Sequence, residues 1–357
     1  MRDGEKRTAG VLRIFHLPAH LAYATMLVNQ GFAPVPSPTG KSLTAAQLVD
    51  RVSWDFFDVL HVHTVELASA ADLERLCEMA RRRGIRLVLT VHDLHPNIET
   101  DEHAYWEKLR SVARQADAVL TLTAAAAAVL ASRAGLDRGR VRVAPHGAPL
   151  PLDLITAATS GSRGSGGLAV YGALRPNRNM VGVVRAWQLL PAATRPGLRM
   201  LLRSVGSADE ERSADQLAVL LSAADGERGF DLDVRADFLP AGDLLRWLAP
   251  AGALVLPYWP ITHSGQLELA CDLGLPVLAP EVRTLRAQLC HSRALAHPVT
   301  WYPATELEEP TRFSRRLVEV LHAPPVPSES RAAFFRHRTA ERTLLLRLYR
   351  SVYSGGV

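Results

Sequence analysis

The sequence predicts an α/β protein made of two consecutive Rossmann-like domains, and three observations carry that prediction. Short apolar runs alternate with helical patterns from end to end, the mark of βαβ units that pair into parallel sheets. The chain has 357 residues, more than the ~250–300 at which a single hydrophobic core usually stops growing. Midway, from Pro149 to Gly167, the periodicity gives way to Pro, Ser, Thr and Gly, the chemistry of a linker. The domains are expected over 1–155 and 156–327, with a C-terminal helix in 328–357 packing across them.

In the first half the candidate strands are Val11–His16, Asp58–Thr64, Arg86–His92, Ala118–Thr123 and Arg140–Ala144, separated by helical stretches at Ala71–Arg83, His103–Gln115 and Ala124–Arg133. The second half repeats the alternation with strands near Leu168–Gly172, Arg199–Ser204, Asp231–Asp237, Ala253–Leu256 and Pro276–Ala279. The glycines that end the linker precede a strand. A dinucleotide loop must follow one and open a helix, so these glycines are not read as such a loop. After the Pro-rich Ala323–Pro327 segment, Ser328–Tyr353 forms a last helix, and its apolar positions Phe334, Leu344, Leu348 and Val352 are the ones expected to pack.

Composition narrows the function classes. Hydrophobic residues make up 48% and charged residues 22% of the chain, which excludes a disordered protein. The net charge of +5 arises from 41 Lys plus Arg against 36 Asp plus Glu, spread along the whole chain. Nucleic-acid binding needs that excess concentrated, so no nucleic-acid partner is expected. The excess suits phosphate-bearing small molecules, and Arg81-Arg82-Arg83 at the end of an amphipathic stretch leaves open a weak peripheral contact with anionic membrane. Cys77, Cys271 and Cys290 lack paired spacing and read as core thiols. The first ten residues carry no apolar leader, and no apolar run reaches the ~18–20 residues that span a bilayer, so a cytoplasmic address is expected.

In open parallel sheets, ligands sit beyond the carboxyl ends of strands, and three strand ends draw attention. The first is Tyr171-Gly172-Ala173-Leu174-Arg175-Pro176-Asn177-Arg178-Asn179. Its guanidinium groups are planar forks that match diphosphate oxygens, and the helix behind them adds a positive dipole end. The second runs from Pro257 through Thr262, His263, Ser264, Gly265 and Gln266 to Glu268. Backbone N–H groups at Ser264, Gly265 and Gln266 are expected to hold a phosphate, and Glu268, one turn into the next helix, to accept the hydroxyls of a ribose. The third is Thr90-Val91-His92-Asp93-Leu94-His95, where His92 and Asp93 are placed to meet a sugar or an acceptor hydroxyl. His61, His63, His92 and His95 have no carboxylate or thiolate at ligand spacing, so no metal site is assigned. Nucleophile elbow, His-Glu-x-x-His helix and Walker loop are all missing from the sequence.

Taken in order, these motifs resemble those of retaining GT-B glycosyltransferases of family 4. The resemblance rests on Asp58–His63, Thr90–Asp93, Ala116–Val119, Val143–Gly147, the Gly172–Asn179 arginine loop, Ala251–Tyr258 and Glu268–Val277, and it runs across nearly the whole chain. It implies two Rossmann-like domains facing across a cleft, an acceptor-binding domain at 1–155 and a nucleotide-sugar-binding domain at 156–327. On the donor side it implies Gly172, Arg175, Arg178, Thr262, His263, Ser264, Gly265, Gln266 and Glu268. On the acceptor side it implies His20, His92 and Asp93, with His92, Arg175 and Arg178 as the catalytic set. The implied reaction is retaining, metal-independent transfer from a nucleotide diphosphate sugar to a small-molecule hydroxyl, with no cofactor and with charge stabilisation of the leaving diphosphate as its main requirement.

Two departures from the family pattern stand out. Family members pair Glu268 with a second glutamate eight positions earlier, where this chain has Pro260, and Thr262, His263 and Ser264 are expected to take over its grip on the sugar. The glycine-rich loop after the first strand is replaced by Leu17-Pro18-Ala19-His20. A donor-binding chain without ordinary transfer and a nucleotide-sugar epimerase are the alternatives that these departures leave open.

Overall fold

The computed structural model describes residues 11–18, 32–35, 43–51, 53–97, 101–159, 166–203, 206–291, 298–324, 326 and 328–356. The chain forms two compact units, one made of Met1–Gly147 with Ala340–Val357 and one of Ala148–Thr339. Among the described residues each unit holds one six-stranded sheet, and all the strand pairings within the sheets are parallel. The α/β class expected from the alternation of apolar runs and helices is the class observed.

The first sheet has the order β2-β1-β3-β4-β5-β6, with β1 at Leu12–Leu17, β2 at Phe32–Pro34, β3 at Val59–Val62, β4 at Arg86–Val91, β5 at Ala118–Thr121 and β6 at Val141–Val143. Successive residues of a strand face opposite sides. Phe15 and Leu60 join the core formed with Leu73, Leu76, Trp106 and Leu109, whereas Ile14 and Val59 join Tyr349, Val352 and Tyr353 on the other face. The helices covering the sheet have clear local causes. Ser69 Oγ accepts from Asp72 N at the start of α2 (Ala70–Arg83), which follows α1 (Ala45–Arg51), and Gly84 ends α2 at φ 64°, a left-handed conformation that favours glycine. Asp101 and Thr123 cap α3 (Glu102–Gln115) and α4 (Ala124–Ala134) in the same way.

The second sheet has the order β12-β11-β10-β7-β8-β9, from β7 at Leu168–Ala173, β8 at Leu198–Arg203, β9 at Phe230–Arg235, β10 at Ala253–Val255 and β11 at Val277–Pro280 to β12 at Val299–Tyr302. Helix α6 (Met180–Gln188) packs on one face with Trp187 at 0% exposure, and α9 (Gly265–Leu273) packs on the other. The chain passes from β7 outward to β8 and β9 and then returns to place β10 on the opposite side of β7. That reversal of strand order is where ligands bind in open α/β sheets. In the first sheet β1 holds the same position, between β2 and β3.

Several expectations change. The stretch expected to be linker contains α5, Leu152–Thr159, whose Ile155 is fully buried in the core of the second unit. Alanine, leucine and isoleucine in that stretch supply the apolar face that its Pro and Ser neighbours concealed. Strands β2 and β12 and helix α7 (Gly206–Gly226) were not foreseen. In order after α7 come α8 (Ala241–Leu248), α10 (Arg283–His291), α11 (Pro310–Leu321) and α12 (Ser328–Ser354). Phe334 of α12 lies in the core of the second unit, and Tyr349, Val352 and Tyr353 lie in that of the first. Leu344, expected to pack, is 62% exposed. Cys77 and Cys271 are buried thiols, whereas the side chain of Cys290 lies outside the described residues. No helix among the described residues is long and apolar enough to cross a membrane.

Trp187 fills the centre of the α6 face and donates from Nε1 to Pro196 O at 2.6 Å. Trp187→Ala should lower the stability of the second unit by about 3–5 kcal/mol, read as a fall in the urea midpoint of its unfolding transition.

Candidate functional site

In the second unit the site begins at the end of β7. Gly172 has φ 135°, and a Cβ built there would lie 1.9 Å from Arg178 Nη1 and 2.6 Å from Gln266 Nε2. Only glycine lets those two side chains close over the strand end. Gln266 Nε2 donates to Tyr171 O at 2.6 Å, tying the first turn of α9 to β7. The arginine loop and the loop after β10 are laced together. Asn179 N donates to Pro257 O at 2.8 Å and Trp259 N to Asn177 O at 3.0 Å, with an antiparallel bridge between Arg178 and Tyr258. The Arg178 guanidinium carbon lies 4.9 Å from the centroid of the Tyr258 ring, a cation–π contact.

The electrostatics of this corner are positive. Burial lowers the Arg178 guanidinium below its ordinary pKa, and the charges of Arg175 and Arg203 act in the same direction, against opposing contributions from Tyr258 and Tyr171. Arg178 Nη1 and Gln266 Oε1 are shielded from solvent and have no hydrogen-bond partner among the described residues. At the end of β8, Arg203 stacks on the ring of Phe238 at 3.8 Å, and Phe238 is 72% exposed. Helix α6 starts directly behind Arg178, with Asn179 Oδ1 accepting from Gly182 N at 2.7 Å. Its dipole points positive end toward the loop. An arrangement of this kind recognises an anion with several oxygens.

Beneath it lies a buried polar network. Ser264 Oγ caps α9 by accepting from Leu267 N at 3.1 Å, and it bonds the Tyr258 hydroxyl. Ser264 N donates to Gln288 Oε1 at 3.1 Å, and Gln288 Nε2 donates to Ser264 O at 2.8 Å and to Glu268 Oε1 at 3.0 Å. Arg338, fully buried on α12, donates to Glu268 Oε2 and, at 2.7 Å, to Asp272 Oδ1. Burial alone would raise the Glu268 pKa, but Arg338 and His263 outweigh it and hold this carboxyl well below the usual carboxylate range. His263 Nε2 lies 3.7 Å from Glu268 Oε1. Arg331 donates to the carbonyls of Cys271 and Asp272 at the end of α9.

The first unit gathers histidines at the ends of β1, β3 and β4. His16 and His61 are register partners. His16 Nδ1 lies 2.9 Å from His63 Nε2, and His63 Nδ1 lies 3.1 Å from His92 Nε2. His61 bonds the Tyr353 hydroxyl at 2.8 Å and Thr90 Oγ1 at 2.7 Å, and its ring lies 4.0 Å from that of His63. Burial pushes His16 down to about 4. His61 and His63 fall well below the ordinary histidine value, first from burial and then from the neighbouring imidazoles. These rings are therefore neutral at physiological pH. Ligand atoms of His16, His61 and His63 all fall within 4.8 Å of one another, while ring nitrogens of each already take part in hydrogen bonds. Asp93 follows His92, and its carbonyl accepts from Tyr105 Oη at 2.7 Å, which fixes the loop after β4.

Comparison with known proteins fits this geometry. Residues 22–150 match the family model Glycosyltransferase Family 4. Among solved structures, HepE of Anabaena in complex with UDP and glucose is similar with a TM-score of 0.61 at 12% identity, covering 96% of this chain and 100% of that one. This is a GT-B fold. An α,α-trehalose-phosphate synthase (UDP-forming) from Burkholderia vietnamiensis shares the GT-B architecture with a TM-score of 0.60 at 13% identity, over 87% of this chain and 73% of that one. TarM is similar over 83% of this chain with a TM-score of 0.55 at 10% identity, and the chain spans about half of TarM's length, 54%. No curated protein matches the sequence.

Within this GT-B chain, Gly172, Arg178 and Gln266 meet at one point, with Arg175 in electrostatic range. Two other donor-side residues stand differently from expectation. Ser264 N–H, expected to face a phosphate, is committed to Gln288. Of the three backbone donors, those of Gly265 and Gln266 remain at the open start of α9. Glu268, expected to accept ribose hydroxyls, is 5% exposed and has both carboxylate oxygens engaged within the unit, because Arg338 reaches it from 70 residues away. Thr262 is buried at 3% exposure. His92 and Asp93 sit together after β4, and His20 lies outside the described residues. Sequence reading passed over His16, Arg203, Gln288, Arg338 and Tyr353. The one signal for His16 was its place at the end of a predicted strand, like His63 and His92.

The buried imidazoles make the first unit acid-sensitive. An unfolded chain binds protons at histidine as pH falls through the ordinary histidine range, and the folded chain resists until lower pH, so stability is complete above that range and declines below it. Thermal unfolding followed from about pH 7 to about pH 4 should show a loss that His16 alone sets at about 3 kcal/mol, and His16→Phe should flatten the slope.

Proposed function

We propose that this chain is a retaining, metal-independent glycosyltransferase that moves a sugar from a nucleotide diphosphate sugar to a small-molecule hydroxyl acceptor. The observation that carries this reading is the cluster of Arg175, Arg178 and Arg203 at the end of β7 and β8, set against the open start of α9. In sugar transfer the diphosphate leaves with negative charge, and preorganised donors lower the barrier most when they face that developing charge. Arg178, with a buried Nη1 in need of an acceptor, and the N–H groups of Gly265 and Gln266 are arranged for this. Arg175 adds charge at longer range. The structures of HepE with UDP and of UDP-forming synthases on the same fold make uridine diphosphate the first probe to use. In this reading His92 and Asp93 serve the reacting sugar and the acceptor hydroxyl. Thr262 and His263 hold the donor sugar in place of the carboxylate that Pro260 lacks. Glu268 keeps that loop in place through Gln288 and Arg338.

Arg178→Ala should weaken uridine diphosphate binding roughly 10- to 150-fold, the worth of one hydrogen bond to a charged group, while the thermal unfolding profile changes little. Isothermal calorimetry on both proteins is the check, and unchanged affinity would remove Arg178 from the donor site.

Gly172→Ala tests the same corner from the backbone side. The added methyl must displace the Arg178 guanidinium and the Gln266 amide, so it should lower affinity in the same titration by at least about tenfold. A second reading, a donor-binding chain without transfer, is favoured by Pro260 in place of a carboxylate. Sugar release from UDP-glucose in the presence of mixed hydroxyl acceptors, followed by mass spectrometry, separates the two, since only the transferase yields glycosylated product.

A further inference from the structure

A buried polar atom without a partner is rare in a folded protein and calls for a chemical reason. At the end of β7 two such atoms occur together. Arg178 Nη1 is a donor and Gln266 Oε1 an acceptor, both are shielded from solvent, and neither has a hydrogen-bond partner among the described residues. A Cβ on Gly172 would meet Arg178 Nη1 at 1.9 Å and Gln266 Nε2 at 2.6 Å, so both side chains close over the same strand end.

The glutamine amide cannot satisfy itself by turning over. Its Nε2 donates to Tyr171 O at 2.6 Å, and a reversed amide would set Oε1 against that carbonyl oxygen, lone pair to lone pair. Oε1 is therefore fixed as an acceptor. Arg178 is held too, by its bridge to Tyr258 and by the Tyr258 ring, whose centroid lies 4.9 Å from the guanidinium carbon.

The two atoms ask for different partners. Arg178 Nη1 takes an ionised phosphate oxygen, which offers only lone pairs. At Gln266 Oε1 the same oxygen would meet another lone pair, so a diphosphate by itself does not answer the glutamine. A ligand that answers both presents an anionic oxygen and an O–H group close together. A sugar phosphate has this chemistry, because hydroxyls stand on the carbons near the one that bears the phosphate. We propose that Gln266 is a specificity-determining residue whose Oε1 accepts from a hydroxyl of the donor sugar, while Arg178 takes an oxygen of the phosphate joined to that sugar. The proposal rests on the transfer reading, in which Gln266 contributes only its backbone N–H, and it gives the side chain the task of recognising the sugar. Pro260 offers a sugar no side-chain acceptor, and the first turn of α9 supplies one.

Calorimetry with UDP, UDP-glucose and UDP-glucose analogues that replace one sugar hydroxyl at a time by hydrogen tests this. Glucose 1-phosphate against inorganic phosphate is the comparison that needs no nucleotide. The unmodified protein should bind one analogue at least about tenfold more weakly than UDP-glucose, the cost of leaving a buried acceptor unpaired. In Gln266→Leu that analogue and UDP-glucose should bind alike. A merely structural glutamine would instead weaken UDP, UDP-glucose and every analogue by one factor and preserve the difference. A preserved difference overturns the proposal. So does equal affinity of the unmodified protein for UDP-glucose and all the analogues, a comparison that holds even where Gln266→Leu fails to fold. If the nucleotides do not bind but glucose 1-phosphate binds more tightly than phosphate and loses that margin in Gln266→Leu, the nucleotide reading falls and the glutamine contact stands. If neither sugar phosphate binds, both fall. The expected pattern of affinities without glycosylated product would count against transfer and leave Gln266 as assigned.

Discussion

A guanidinium that has lost its water must be answered by negative charge, and among the described residues the second unit is arranged around one on which no carboxylate acts. The groups acting on Arg178 are two tyrosines and two further arginines. Such a corner is costly to the isolated chain, and it is held by devices that have little other use. A glycine at φ 135° leaves room for the side chain. A two-strand lacing joins the arginine loop to the loop after β10, and an aromatic face lies under the charge. An anion with spread oxygens relieves this corner, and the nucleotide diphosphate reading follows from that electrostatic demand more than from any single residue.

The neighbouring network is built around buried carboxylates. Glu268 and Asp272 on α9 share one buried arginine from α12, and Gln288 donates to the other Glu268 oxygen. Buried ionic groups add little net stability when complete and are severe losses when broken. Their value here is register, since α9 cannot rotate without parting Glu268 from Arg338, and its first turn is where Gly265 and Gln266 present their N–H groups.

How much of this was legible in the sequence depends on distance along the chain. Strands and helices with strong alternation were placed to within a few residues, because burial on one or both faces leaves a local pattern. The arginine loop and the His92 turn were found because strand ends announce themselves. Helix α5 was hidden by its Pro- and Ser-rich flanks, and β2 and β12 are edge strands of three and four residues, too short to carry a period. Glu268 was read as a ligand contact because its partner, Arg338, lies 70 positions away in the chain. Likewise nothing local links His16 to His63. Only the pairing of β1 with β3 brings them together, and pairing order is a property of the sheet.

Helix α12 supplies Arg338 to the carboxylates of α9 and Tyr353 to the imidazole of His61. One helix therefore contributes to the polar interior of both units. A ribosome that has finished β12 has made both sheets, yet Glu268, Asp272 and His61 still await their partners. Neither unit reaches its final hydrogen-bonded state until α12 has been made, so folding that proceeds sheet by sheet during synthesis must include a late event shared by the two.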